Sequence, residues 1–303
     1  MWHFLYHKFI RPVIGLNIRN SIQQSYLASC YISFHNAGSL AEYVKGKLIY
    51  LFSPFLHKTE FHKLYVFMGR YGFSHLPYPF TLKYRSKDVE VYFDKDYQLY
   101  YVMHQGKRLF FPSEDMTMWL IKNGYNELNK EQDLASPHRY VNNAEELRGK
   151  TLLDIGAAEG IFALEVIEYV EKVYLFECDE KWIKPLEATF APWKNKVKII
   201  QKMVTDRDID NEMSLYKLFE VEQLKNVFIK MDIEGNEQIV LNSSVDILAK
   251  RDDIRLAVCT YHLADDKEKI ESLFVSLGYK YHFTNGYFYI DRQFRKAVIR
   301  AGK

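Results

Sequence analysis

From residue 151 onward, short apolar runs alternate with segments of helical spacing. Thr151–Ile155 is a five-residue apolar run leading into glycine, and residues 161–170 carry apolar side chains at helical intervals. Residues 173–177 repeat the strand pattern, a helix is predicted around 180–190, and 197–201 reads as the third strand. Then come a strand at 227–232, a helix over about 235–249, a strand at 254–260 and a helix at 266–277 closed by Gly278. The pattern ends in two runs, 279–283 and 287–290, across Thr284-Asn285-Gly286, which predicts a hairpin. Strands alternating with helices predict a doubly wound, largely parallel α/β sheet, to which the hairpin adds an antiparallel strand.

The first half has another texture. Residues 88–93 alternate polar and apolar, as a half-buried strand does. Residues 100–103 and 108–111 flank a turn at His104-Gln105-Gly106-Lys107, so a small antiparallel meander is predicted. A helix over 114–128 follows, and the pattern through residue 80 is irregular and reads as helical. The expected organisation is therefore a mostly helical accessory region over 1–85, a meander plus helix over 86–150, and a ligand-binding domain over 151–303. The accessory region is expected to supply part of an acceptor site or a subunit contact in a homo-oligomer.

Composition narrows the function classes. Of 303 residues, 48% are hydrophobic and 26% charged, as in a folded globular chain. The net charge of +2 makes no case for a nucleic-acid partner. Cys30, Cys178 and Cys259 form no CxxC pair, so a disulfide framework is not expected and a reducing, cytoplasmic setting is. No run reaches the length of a transmembrane helix; Leu48–Leu56 is short and broken by Pro54. The N-terminus does not read as a signal peptide. It carries Lys8, Arg11 and Arg19 among aromatics before the first acidic residue, Glu42. That permits peripheral contact with an anionic membrane face, although a packed N-terminal helix is the preferred reading.

The main chemical signal is Asp154-Ile155-Gly156-Ala157-Ala158-Glu159-Gly160, a strand running through a glycine turn into a helix. Small residues at 156–158 let a ligand approach the backbone, and the helix start offers N–H groups to an anion. Glu177 ends the next strand, 21 residues after Gly156, the spacing at which a carboxylate meets ribose hydroxyls. An adenosine-type cofactor follows from that spacing. The dinucleotide fingerprint G-x-G-x-x-G is not met, and Asp154 would repel a pyrophosphate but suit a cationic amino group. A cofactor with an amine, a carboxylate and a ribose fits, and S-adenosylmethionine is such a molecule.

The chain here resembles the class I S-adenosylmethionine-dependent methyltransferases, and within them the FkbM family. The resemblance rests on residues 154–160, on Phe176-Glu177, and on Ile229-Lys230-Met231-Asp232-Ile233-Glu234-Gly235-Asn236-Glu237, which is similar to the family's K-x-D-x-E-G-x-E signature. Cys259–Leu263 with Asp265 and Asp266, and residues 131–140, are further similar stretches. Coverage runs from about residue 88 to 303. Asn236 departs from the Ala of many relatives. The resemblance implies a seven-stranded Rossmann-like sheet and methyl transfer to a hydroxyl oxygen, on polyketides or on sugars of surface polysaccharides and glycoconjugates. It places the cofactor on Asp154, Gly156, Ala157, Glu159, Gly160, Phe162, Glu177, Cys178 and Asp232.

A sugar hydroxyl is a poor nucleophile without a base or a metal. Asp232, Glu234 and His262 lie at the ends of two strands that face one cleft. His262 is the preferred general base, with Asp232 or Glu234 orienting it or holding the acceptor. Simple roles as loop ligand, helix cap and helix-terminal charge remain open beside these. The same three side chains could instead hold Mg²⁺ or Mn²⁺, a reading ranked below the histidine base. His138 and Arg139, after Ser136-Pro137, either reach over cofactor and substrate or pack at a domain seam. Aromatics are 16% of the chain and could stack sugar rings, as ordinary packing also explains. Two other classes stay open: a Rossmann oxidoreductase, which should bind NAD, and a noncatalytic cofactor-binding scaffold.

Overall fold

The structure, a computed structural model, describes Val44, Lys47, Leu48, Leu51, Phe52 and residues 60–114 and 116–303. The cationic N-terminus and Cys30 lie outside the described residues. The chain divides into two units, residues 1–79 with 289–294, and residues 80–288 with 295–303.

In the first unit, helix α1 (His62–Tyr71) buries Leu64, Phe67 and Met68 on one face. Met68, Phe73 and Tyr289 pack together, and Phe61 stacks on Phe294 at 5.0 Å. Tyr289 N–H donates to the His75 carbonyl at 2.8 Å.

The second unit begins with a meander of β1 (Tyr92–Asp94), β2 (Leu99–His104) and β3 (Lys107–Phe111). The strand expected at 88–93 starts later. Ser86–Asp88 is a 3₁₀ turn, closed by Arg85 Nε on Asp88 Oδ2 at 2.6 Å. Helix α2 (Met118–Glu131) also starts later than expected, where Thr117 caps it by accepting the Leu120 N–H.

The sheet is then built from β4 (Thr151–Ile155), β5 (Lys172–Phe176) and β6 (Val197–Ile200), with α3 (Ile161–Val166) and α4 (Ile183–Phe190) between them. Strands β7 (Met203–Thr205) and β8 (Glu212–Ser214) form a short parallel pair outside the sheet, which no sequence pattern announced. After α5 (Leu215–Glu222) come β9 (Val227–Met231), α6 (Glu237–Ser243), α7 (Val245–Lys250), β10 (Ile254–Cys259), α8 (Asp266–Ser276) and β11 (Lys280–Phe283). The single helix expected over 235–249 breaks at Ser244. There the hydroxyls of Ser243 and Ser244 both donate to the Val240 carbonyl, at 2.9 and 2.7 Å.

The chain closes with β12 (Phe288–Ile290), β13 (Gln293–Arg295) and β14 (Val298–Gly302). The large sheet has seven strands in the order β11-β14-β10-β9-β4-β5-β6. Six run in one direction, and only β14 is reversed, antiparallel to both its neighbours. The Rossmann-like, doubly wound sheet with an antiparallel end is thus present. The partner of 280–283 is 298–302 rather than 287–290, which instead supplies β12 and pairs with β13. Every residue of β4 and β9 is buried, as expected of central strands covered on both faces.

Candidate functional site

Strands β4 and β9 are neighbours, and the chain leaves them in opposite directions along the sheet. In open α/β sheets that switch point, at the carboxyl ends, is where ligands bind. Gly156 and Gly160 both take φ +77° and Ala158 φ +45°. A Cβ on Gly156 would stand 2.0 Å from the Asp232 carbonyl oxygen, so glycine is required there by the contact between the two strand ends. On Gly160 a Cβ would meet Phe190 at 2.8 Å and Leu186 at 2.9 Å. The loop's amides are less free than the sequence suggested. Gly156 and Ala157 both donate to the Phe176 carbonyl, Gly160 to Ala157, and Ala158 to the Glu177 carboxylate. The loop can therefore offer shape more than free N–H groups.

Asp154 is buried. Its Oδ1 lies 2.9 Å from Lys230 Nζ, on the adjacent strand. Lys230 also donates to the Gly156 carbonyl at 2.5 Å and reaches the Ile155 carbonyl at 3.4 Å. Burial would lower the Lys230 pKa, but Asp154 and Asp232 outweigh it and hold the ammonium above its ordinary value.

Glu177 stands at the end of β5, its Oε2 accepting from Ala158 and its Oε1 from Asp179, both at 2.8 Å. A carboxylate has about four lone-pair sites, so each oxygen keeps capacity for a further donor. Glu159 is buried, and burial pushes its carboxyl up to about 7. Glu131, at the end of α2, is raised well above the carboxylate range, first by burial and then by the charges of Asp232 and Glu159. Ala157 and Phe162 are buried, Phe162 packing edge-on to Tyr140 at 5.0 Å. Cys178 is exposed, with its thiol raised by partial desolvation and by Glu177.

Asp232 follows β9 and gathers donors. Tyr140 Oη donates to Oδ2 at 2.8 Å, Tyr261 Oη to Oδ1 at 3.4 Å, and His262 Nε2 lies 3.3 Å from Oδ1. Burial alone would raise its carboxyl; the neighbouring His138, Lys230 and His262 and the Tyr140 hydroxyl lower it. His262 Nδ1 is 2.9 Å from Oε1 of Glu237, which is fully buried. Glu237 also accepts the N–H groups of Ile233 and Gly235, at 2.8 and 3.0 Å, and so shapes the loop after β9. Desolvation opposes charge on His262, but Glu237, Asp232 and Glu234 prevail and its pKa is raised. Glu234 is the outlier of the three expected acid–base residues: its side chain is 92% exposed, its φ is +55°, and it stands 3.7 Å from His262 Nε2.

His138 is buried beside Asp232, with Nε2 3.0 Å from Tyr261 Oη and 3.7 Å from Asp232 Oδ2. Burial lowers its pKa to about 4, so the ring is neutral near pH 7. Arg139 turns elsewhere and donates to the Gln132 carbonyl. Two groups could supply metal ligands, Asp232 with Glu237 and His262, and His138 with Asp232 and Cys259. Both share Asp232, and the first has Glu237 where the sequence suggested Glu234.

Four contributors were given no role from the sequence. Lys230 and Glu237 lay in the 229–237 signature, and Lys230 also stood out inside an otherwise apolar strand. Tyr140 and Tyr261 lay in the similar stretches 131–140 and 259–263, but no spacing tied them to Asp232.

No family model matches the chain, and no curated protein matches it. Among solved structures it is similar to methyltransferase FkbM from Methylobacillus flagellatus KT, with TM-score 0.41 and 15% identity, covering 61% of this chain and 53% of that one. It is also similar to TYW2 from M. jannaschii, solved in complex with AdoMet, with TM-score 0.41 and 16% identity over 67% of this chain and 84% of that one. A third is precorrin-6y C5,15-methyltransferase from Geobacter metallireducens GS-15, with TM-score 0.36 and 14% identity over 53% and 84%. The chain spans about half the length of the Methylobacillus protein. Among the described residues, no helix is long and apolar enough to cross a membrane.

Proposed function

We propose that the protein is an S-adenosylmethionine-dependent methyltransferase of the FkbM type. Its acceptor is a hydroxyl group, of a sugar in a surface polysaccharide or glycoconjugate. The observation that carries this reading is the switch point itself. A glycine loop is pressed against the Asp232 backbone, Glu177 stands at the next strand end, and Asp154 pairs with a buried ammonium, Lys230, whose charge also acts on Glu131, Glu159 and Asp232. Asp232 keeps its negative charge there, which suits a cationic cofactor and disfavours a pyrophosphate. The acceptor class rests on the family resemblance.

When bound, the cofactor supplies an electrophilic methyl group on sulfur. Glu177 holds the ribose hydroxyls with the lone pairs that Ala158 and Asp179 leave unused. Glu237 orients His262 through Nδ1, and Asp232, ionised and held by two phenols, holds the acceptor hydroxyl beside Nε2. His262 accepts the acceptor proton at Nε2, while Glu237 stabilises the resulting imidazolium at Nδ1. His138 acts by holding Tyr261. Calorimetric titration with S-adenosylmethionine and with NAD tests the cofactor. Binding of NAD alone would overturn the reading. Mass spectrometry of products from a glycan panel tests the acceptor.

A further inference from the structure

Among the described residues Lys230 is the only buried lysine or arginine, 5% exposed in the middle of a fully buried strand. Its ammonium does more than pair with one acid. It touches Asp154 Oδ1 at 2.9 Å, donates to the carbonyl of Gly156, and lies 5.5 Å from the Tyr140 ring centroid. Register explains how: Asp154 and Lys230 are directly paired between β4 and β9, so a side chain from β9 can cross to the first carbonyl beyond β4. Gly156 has both its polar groups engaged, its N–H on Phe176 and its carbonyl on Lys230. A buried ion pair is weak evidence for stability, because apolar residues of similar volume often replace one without loss. The third partner, a loop carbonyl at the ligand end of the sheet, is what an apolar replacement would not reproduce.

We propose that Lys230 is a positioning residue for the glycine loop. It locks the Gly156 carbonyl inward, fixing the turn that receives the cofactor, and Asp154 is its buried counter-ion. The effect on cofactor affinity rests on the methyltransferase reading; the effect on the loop does not.

The test uses the full chain. Replacing both partners, Asp154→Leu with Lys230→Met, removes the ion pair without stranding a charge, and the melting temperature should stay near that of the wild type. Amide exchange in the ligand-free protein should then be about tenfold faster or more over residues 156–160, the scale of losing a hydrogen bond to a charged group, and unchanged over 266–276. Unchanged exchange at 156–160 would mean that Lys230 only neutralises Asp154, and the proposal fails. A second measurement needs no variant. In the wild type, NMR should show a slowly exchanging Lys230 ammonium coupled through the hydrogen bond to the Gly156 carbonyl carbon. A freely exchanging ammonium overturns the proposal even if the double variant does not fold. Titration with S-adenosylmethionine completes the set: the double variant should bind about tenfold more weakly or worse. A wild type that binds none refutes the methyltransferase reading while the exchange data still decide the role of Lys230.

Discussion

Glu237 holds a carboxylate oxygen 2.9 Å from Nδ1 of His262, while Asp232 faces the other ring nitrogen at 3.3 Å. An imidazole between two carboxylates keeps its proton to higher pH than an ordinary histidine, whose pKa is about 6.5. A base must be unprotonated, so turnover should rise with pH through a value above 6.5 and fall below it. Glu237→Gln removes one of the two charges and should move that acid limb to lower pH. His262→Ala should lose about 10²–10⁴-fold in kcat and keep cofactor affinity. A wild-type rate for that variant would remove the histidine from the mechanism. Full activity in excess chelator would remove the metal from it.

Glu177 is tied to the loop it serves. Glu177→Ala should weaken S-adenosylmethionine binding by about 1–3 kcal/mol, the scale for hydrogen bonds to a charged group. Part of that loss comes from releasing Ala158 and Asp179. Glu177→Gln keeps an acceptor oxygen and should lose less. Unchanged calorimetric affinity in Glu177→Ala would reject the ribose assignment.

Glu159 has its folded pKa pushed up to about 7, so the folded state holds a proton that the unfolded state releases at lower pH. Its neutral form is tolerated at pH 5. Stability therefore falls as pH rises from about 4.5, where the unfolded carboxyl ionises, towards 7, and above 7 the folded state carries the full cost of the buried charge. Glu159→Gln should therefore raise Tm at pH 8.5 and change it little at pH 5, each kcal/mol being worth roughly 2–4 °C in a chain of this size. Equal effects at both pH values would contradict the buried, raised carboxyl.

The two loop glycines should differ. At Gly156 an added Cβ meets a backbone carbonyl, which cannot yield without moving β9. At Gly160 it meets the Leu186 side chain and the Phe190 ring, which have more room to adjust. Both carry positive φ strain. Gly156→Ala should lower Tm more than Gly160→Ala, and thermal melts without ligand suffice to check the order.

Much of the sheet was legible because parallel central strands are apolar throughout. Thr151–Ile155 and Val227–Met231 announce themselves, and their edges sit where the runs end. The final pairing was not, because 279–283 and 287–290 are joined by a plausible turn while the true partner, 298–302, comes later and has no such marker. The site divided in the same way. Asp232, His262 and Glu177 lie at strand ends that topology brings together, so position in the pattern found them. The pairing of Asp154 with Lys230 was not legible, because a cross-strand partner is a fact of register. Tyr140 and Tyr261 reach Asp232 from two separate loops, and no local spacing encodes that meeting.

The place of β14 between β10 and β11 bears on how the protein is made. Strand β11 leaves the ribosome before its partner strand, because among the described residues its only partner in the sheet is β14, whose paired residues follow 16 to 22 positions later. Until residues 298–302 emerge, β10 also presents an open flank. The last part of the sheet therefore closes only once β14 has been synthesised, and a chain cut near residue 296 would leave the flank of β10 and both sides of β11 unpaired.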